Sequence, residues 1–267
     1  RRWFFGNGVV LCSLVNDGGV TMKRPQCPVQ RDGCHRQVIK DPGQPARHTT
    51  HMPLLQVIHE GTDLLVLDKP SGLLCVPGRG PDKQDCLSAR AQQQWPDALV
   101  VHRLDMATSG LVLMARGLEM QRALSQAFAQ QQIDKRYEAV VDGLLPPSDA
   151  QWREIDAPIA ADWPRRPLQV IDTVRGKPSL TRWRVKAPLP DRQATLLELA
   201  PHSGRTHQLR VHLAHIGHPI LGDALYGSEQ VIARSPRLLL HATRLELAHP
   251  LSGQTLCFES PAPFGHP

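Results

Sequence analysis

The apolar residues of this chain come in short bursts. The longest stretches, such as Leu64–Leu67 and Leu111–Ala115, are the length of a strand. No run approaches the ~18–20 consecutive apolar residues that cross a bilayer. Such segments belong in the core of a folded protein, and 267 residues with 41% apolar content suffice to build one.

The pattern along the chain predicts an α+β fold dominated by antiparallel sheet. Leu54–Ile58 and Leu64–Asp68 read as strands joined through His59-Glu60-Gly61-Thr62, and Lys69-Pro70-Ser71-Gly72 as a turn. Gln84–Trp95 looks helical, with Pro96 to stop it. Leu99–Val101 and Gly110–Ala115 are expected strands. Glu119–Gln131 carries Met120, Leu124, Ala127 and Phe128 at helical spacing. Strands are expected at Ile133–Val141, Thr181–Val185 and Thr195–Leu199. Thr206–Ile216 suits a helix ended by Gly217. Leu238–Leu240, Arg244–Ala248 and Thr255–Glu259 close the chain as strands. Strands outnumber helices and turns are short, which gives the fold class.

Residues 1–50 read differently. They hold Gly18-Gly19, four prolines and no sustained periodicity. Arg1-Arg2 and the apolar residues after them invite comparison with a signal peptide, but Gly6-Asn7-Gly8 interrupts the stretch. The expectation is a disordered extension or a mis-called start, with a catalytic domain over 51–267. Of the +6 net charge, this segment supplies +5, from 8 Lys/Arg and 3 Asp/Glu, leaving +1 for the remainder. Affinity for nucleic acid must therefore come from a local basic patch. The six cysteines form no C-x-x-C pair, so neither a disulfide scaffold nor a zinc site is expected, and a reduced cytoplasmic setting fits best. Cys27, Cys34 and His35 are too scattered to suggest a metal site, and His102, His207, His212 and His241 lack ligand spacing.

One loop stands out chemically. Between two expected strands, Asp105 is flanked by Arg103 and by the hydroxyls of Thr108 and Ser109. A carboxylate on a loop held by rigid sheet is where an exposed nucleophile is found. On composition alone, a turn Asp paired with a nearby Arg explains the same residues and is the preferred account.

The surrounding sequence changes that balance. His102-Arg103-Leu104-Asp105-Met106-Ala107-Thr108-Ser109-Gly110 resembles the signature of the RluA family of pseudouridine synthases. Lys69-Pro70-Ser71-Gly72 resembles that family's upstream turn, and Lys135–Gly143 its tyrosine-bearing strand. Ser203–His212 and Gly217–Asp223 resemble its arginine turn, helix and following loop, and Arg237–Ala242 its last motif. The blocks run in the family's order across about residues 54–264.

The resemblance implies an RNA-modifying isomerase without cofactor or metal. The C1′–N1 glycosidic bond of a uridine is broken, the uracil is turned, and the base is rejoined through C5. Asp105 would be the nucleophile, at the ribose carbon or through a glycal route. Attack needs the ionised carboxylate, and an adjacent cation favours that form. Arg205 would be the arginine that pairs with it. Tyr137 would stack on the base and assist proton removal at C5. Arg103 would take the place of the flipped nucleotide, recovering part of the cost of extraction. Leu240 would line the uracil pocket.

Asp162-Trp163-Pro164-Arg165-Arg166-Pro167 and Val76-Pro77-Gly78-Arg79 resemble compact members that modify both 23S ribosomal RNA and tRNA, and no S4-like segment is found. The implied partners are a 23S hairpin and a tRNA anticodon stem-loop, with no membrane, no protein partner and a monomeric enzyme. Three competing functions remain at this level. One is a synthase acting only on other ribosomal uridines, one an RNA-binding protein without catalysis, and one a hydrolase using Asp105 on phosphoesters. Asp63, Asp68 and Asp105 form no recognisable magnesium cluster for the last.

Overall fold

The computed structural model describes residues 55–146 and 151–264. The expectations for residues 1–50, with Cys27, Cys34 and His35, lie outside the described residues. Gly61 turns the chain between β1 (Gln56–Glu60) and β2 (Leu64–Lys69), its N–H bonded to the Leu64 carbonyl at 2.9 Å. Next come α1 (Leu87–Gln94), β3 (Ala98–Val100), β4 (Ser109–Arg116) and α2 (Leu118–Ala129). Strands β5 (Asp134–Asp142), β6 (Arg153–Asp156), β7 (Ile159–Ala161) and β8 (Gln169–Ile171) follow. Then run β9 (Leu180–Leu189), β10 (Ala194–Pro201), α3 (Gln208–His215) and α4 (Glu229–Ala233). Strands β11 (Leu240–Ala248) and β12 (Thr255–Glu259) complete the described elements.

Ten strands form one sheet in the order β1-β2-β4-β11-β5-β10-β9-β6, with β12 added on β11 and β3 on β4, while β7 pairs with β8 apart from it. Among these strands the one parallel pairing is β4 with β11, where Ser109 faces His241 and Gly110 faces Ala242. The fold is therefore α+β and mostly antiparallel, as the pattern predicts.

The continuous apolar runs have a direct cause. Alternate residues of β2 and β4 point to opposite faces, and both faces are covered. Leu65, Leu67, Val112 and Met114 pack with Leu87 and Ala91 of α1. Leu64, Val66, Leu111 and Leu113 pack with Met120 and Leu124 of α2. A larger cluster joins β5, β9 and β10 to Leu209 and Leu213 of α3. The expected amphipathic face of α2 is the buried one, whereas α3 is buried on all sides from Gln208 to Leu213.

Several boundaries differ from expectation. Helix α1 starts at Leu87, not Gln84, because Cys86 is extended and its sulfur caps the Ala89 N–H. Helix α3 starts at Gln208, not Thr206, because His207 adopts a left-handed backbone at φ 55°. Gly217 does end α3: its N–H bonds the Ala214 carbonyl at 3.0 Å and that of His218 bonds the Leu213 carbonyl at 2.9 Å. The expected strand Arg244–Ala248 is the second part of β11, which starts at Leu240 and leaves Leu238 and Leu239 outside it, with a register shift between Ala242 and Arg244. The short elements β6, β7, β8 and α4 carry too little periodicity to be read in advance.

Candidate active site

The Asp105 loop leads into the parallel join. It enters from β3 and leaves into β4 beside β11, where Gly110 has φ 109° and a Cβ would lie 2.3 Å from the Ala242 carbonyl oxygen. Only glycine lets the two strands meet there. The turn after β2 then staples the loop. Lys69 Nζ donates to Met106 O at 3.0 Å, Gly72 N–H to Met106 O at 2.8 Å, and Ser71 Oγ to Ala107 O at 2.6 Å. Leu104 N–H donates to Cys75 Sγ at 3.1 Å. The Lys69-Pro70-Ser71-Gly72 turn is thus a clamp on the loop's backbone carbonyls. Lys69 is fully buried, with further bonds to the Pro70 and Leu73 carbonyls, and burial lowers its pKa to about 8.

In front of the loop lies a small half-open cavity of about 100 Å³. Asp105, Tyr137, Arg205, Arg103 and Leu240 all line it. Residues from the loop, β5, the turn before α3 and the start of β11 are so brought together.

One expected contact is not made. Arg205 was the arginine assigned to pair with Asp105, but the cation in that position is Arg210, whose Nη1 lies 3.7 Å from Asp105 Oδ2. Arg205 is exposed, with its N–H held by Gln208 Oε1 and its Nε turned to the Pro178 carbonyl at 3.3 Å. Arg210 projects from the buried first turn of α3 and is fixed by a two-pronged bond to Asp223, at 2.8 and 2.5 Å. Asp223 is wholly buried and also accepts the Leu225 and Tyr226 N–H groups. Sequence reasoning missed this pair, although two buried opposite charges stood in adjacent motif blocks.

Tyr137 packs between two core clusters, and its hydroxyl has no hydrogen-bond partner among the described residues. Burial first, and the Asp105 charge second, push its phenol well above the usual range. It faces the cavity as a neutral ring. Arg103 is exposed at the rim. The four histidines serve as hydrogen-bonding groups. His102 Nε2 accepts the Leu113 N–H at 2.8 Å, and His212 bridges Thr181 and the Ala157 carbonyl. His241 bridges Ser109 and Ser260, and His207 meets the Tyr226 hydroxyl.

Residues 63–215 match the family model described as RNA pseudouridylate synthase. The chain belongs to that family. It is 42% identical over 212 residues to the "Dual-specificity RNA pseudouridine synthase RluA" of Escherichia coli (strain K12), covering 79% of this chain and 95% of that protein. The same-named protein of Haemophilus influenzae is 40% identical over the same shares. Among solved structures, "Human RNA Pseudouridylate Synthase Domain Containing 1" superposes with a TM-score of 0.64 at 27% identity, covering 79% of this chain and 84% of that one. The pseudouridine synthase is thus an isomerase acting on RNA. None of its described helices is long and apolar enough to cross a membrane.

Proposed function

We propose that this synthase converts uridines of a 23S ribosomal RNA hairpin and of tRNA anticodon stem-loops to pseudouridine, with Asp105 as nucleophile. The observation that carries the site assignment is the convergence of Asp105, Tyr137, Leu240, Arg103 and Arg205 on one cavity, with the buried Arg210 cation beside the carboxylate. The target choice rests on the relatives named for dual specificity. Asp105 attacks C1′, and the C1′–N1 electron pair leaves with the uracil. The ring turns so that C5 faces C1′, a C5–C1′ bond forms as the carboxylate departs, C5 loses its proton and N1 gains one. In the glycal variant the same carboxylate removes the C2′ proton instead. Tyr137 and Leu240 would hold the flat ring from its faces. Arg205 would meet RNA at the cavity mouth, since its guanidinium is free of Asp105.

The walls beyond the cavity suit a nucleic-acid strand. Arg103, Lys135 and Arg205 line the depression on one side, and Arg175, Lys177 and Trp163 that on the other. Trp163 is 67% exposed, with the Arg166 guanidinium 3.3 Å from its ring centre. Aromatic faces beside cations are the usual platform for unpaired bases. The enzyme would act as a monomer in the cytoplasm. The test is Asp105→Asn, with pseudouridine mapped in 23S and tRNA transcripts. Isomerisation should fall by more than about a thousandfold with RNA affinity kept. Turnover within tenfold of wild type overturns the nucleophile, and a stem-loop left unmodified while 23S RNA reacts overturns the dual target.

A further inference from the structure

His207 is the cavity residue whose surroundings are most tightly set. It holds a left-handed backbone, φ 55° and ψ 16°, in a position where glycine or asparagine would be expected. Such strain persists only where neighbours enforce it, and it gathers at functional sites. The imidazole is held by Tyr226. Its hydroxyl lies 2.7 Å from His207 Nδ1 and accepts the Gln169 N–H of β8 at 2.9 Å. With that N–H on one side of the oxygen, the arrangement that also uses the phenolic hydrogen directs it at Nδ1 and puts the ring proton of His207 on Nε2. Tyr226 is itself locked, its N–H on Asp223 and its ring 5.2 Å from the Arg210 guanidinium. Burial depresses the basicity of His207 and pushes the Tyr226 phenol up to about 12, so both are neutral near pH 7.

The imidazole lines the same cavity as Asp105, Tyr137 and Leu240, whereas Tyr226 does not line it. The Nδ1 edge is therefore turned into the wall. Nε2 has no hydrogen-bond partner among the described residues, which leaves one oriented donor to spare. We propose that His207 is a further catalytic residue, a neutral imidazole whose Nε2–H donates to a carbonyl oxygen of the target uracil. The inference rests on the assignment of this cavity as the catalytic site.

The chemistry gives such a donor a task. When C1′–N1 opens, the bonding pair stays with the base and its charge spreads from N1 onto O2 and O4. A donor fixed in advance stabilises that charge without reorganisation. A neutral donor also keeps its proton, so N1 is not protonated from this side before the ring has turned. Rotation by half a turn about the N3–C6 axis exchanges N1 with C5 and O2 with O4. One donor near that axis can therefore serve a carbonyl oxygen both before and after the turn.

The experiment compares His207→Gly, His207→Gln and Tyr226→Phe with wild type, on whichever transcript, 23S or tRNA, the wild type modifies. His207→Gly accepts the left-handed backbone freely and removes only the side chain. Its single-turnover rate should drop about a hundredfold, the usual cost of losing such a donor, with the RNA dissociation constant within about threefold. His207→Gln restores an amide N–H at similar reach and should recover at least about tenfold of that loss. Tyr226→Phe unlocks the tautomer and should slow the reaction several-fold. In wild type, nitrogen NMR of the imidazole should show a neutral ring protonated at Nε2. A glycine variant within threefold of the wild-type rate overturns the proposal, as does a ring protonated at Nδ1. A loss of RNA affinity equal to the loss of rate also overturns it, since His207 would then be a binding contact only. An active Asp105→Asn enzyme would instead overturn the site assignment, whereas an inactive one beside an unimpaired glycine variant would reject His207 alone.

Discussion

The two sides of the parallel join between β4 and β11 treat their polar groups in opposite ways. Behind the join, the polar side chains are linked to one another. Arg237 donates to Ser109, and Ser109 meets His241 Nδ1 at 2.8 Å. His241 Nε2 meets Ser260 at 3.1 Å, and the Ser260 hydroxyl donates to Asp68. Because Ser260 gives its proton to a carboxylate, it accepts from His241 Nε2–H. His241 Nδ1 is then left to accept from Ser109. The result is one ordered chain from a cation to an anion through a neutral histidine, and burial indeed depresses the basicity of His241. In front of the join, Asp105 has a single 3.7 Å cation contact. Tyr137 Oη and His207 Nε2 have no partner among the described residues. That unused capacity faces the cavity, where a substrate would fill it. The rear network holds the frame that keeps the front open.

The Arg210–Asp223 pair lies beneath the front and belongs energetically to the frame, which gives the largest expected effect. Asp223→Ala leaves the buried Arg210 charge with only the 3.7 Å contact to Asp105 and frees the Leu225 and Tyr226 N–H groups. Stability should fall by about 3–5 kcal/mol in urea denaturation followed by circular dichroism. Asp105→Asn, on a side chain 26% exposed, should shift stability by less than about 1 kcal/mol while removing activity. Two substitutions with equal effects on stability would erase the division between frame and site.

The next effect sharpens the same division through pH. His102 lies at the base of the loop, stacked on Phe128 at 4.4 Å, and burial lowers its pKa from 6.5 to about 3. Between those values the unfolded chain binds a proton that the native ring refuses. Stability is therefore present above about pH 6.5 and is lost as the pH falls toward 3, by up to about 1.4 kcal/mol per unit. His207, His212 and His241 are shifted the same way and add to the slope. His102→Gln keeps an acceptor for the Leu113 N–H and removes the titration. Its denaturation midpoint should vary less with pH than that of wild type across this window. An unchanged slope would mean that His102 is solvated in the native state.

The frame and the site were not equally legible in the sequence. Asp105, Tyr137 and Leu240 sit in contiguous motif blocks, so resemblance could carry them to one place. Strands β2 and β4 were readable because burial on both faces writes an unbroken apolar run. The hidden features depend on distant partners. Arg210, held by Asp223 from 13 residues away, stands beside Asp105 where Arg205 is expected. No glycine or asparagine marks the left-handed His207, and its side-chain partner Tyr226 is 19 residues away. Strand β11 was split in two because the bulge at Thr243 breaks the alternation. Strands β7 and β8 are three residues each and run among Pro158, Pro164 and Pro167, so no periodicity could build up.

The smallest expected effect concerns the rim, where the comparison of front and frame reaches the substrate. Arg103 is exposed, lines the Asp105 cavity and the neighbouring depression, and makes no ion pair among the described residues. A planar cation so placed can occupy the gap left in the RNA stack when the uridine leaves it. Flipping costs a few kcal/mol and costs least for a base already unstacked. Arg103→Ala should then slow isomerisation of a stem-loop of about twenty nucleotides by about tenfold, or roughly 1.4 kcal/mol. An abasic site beside the target uridine removes much of the stacking that must be broken, and the defect should shrink to about threefold or less. A phosphate contact behaves differently, because its loss weakens binding to both RNAs alike and lowers the dependence on salt. Single-turnover rates on the two stem-loops separate these roles. A defect of the same size on both would place Arg103 among the backbone contacts and leave flipping to another group at the rim.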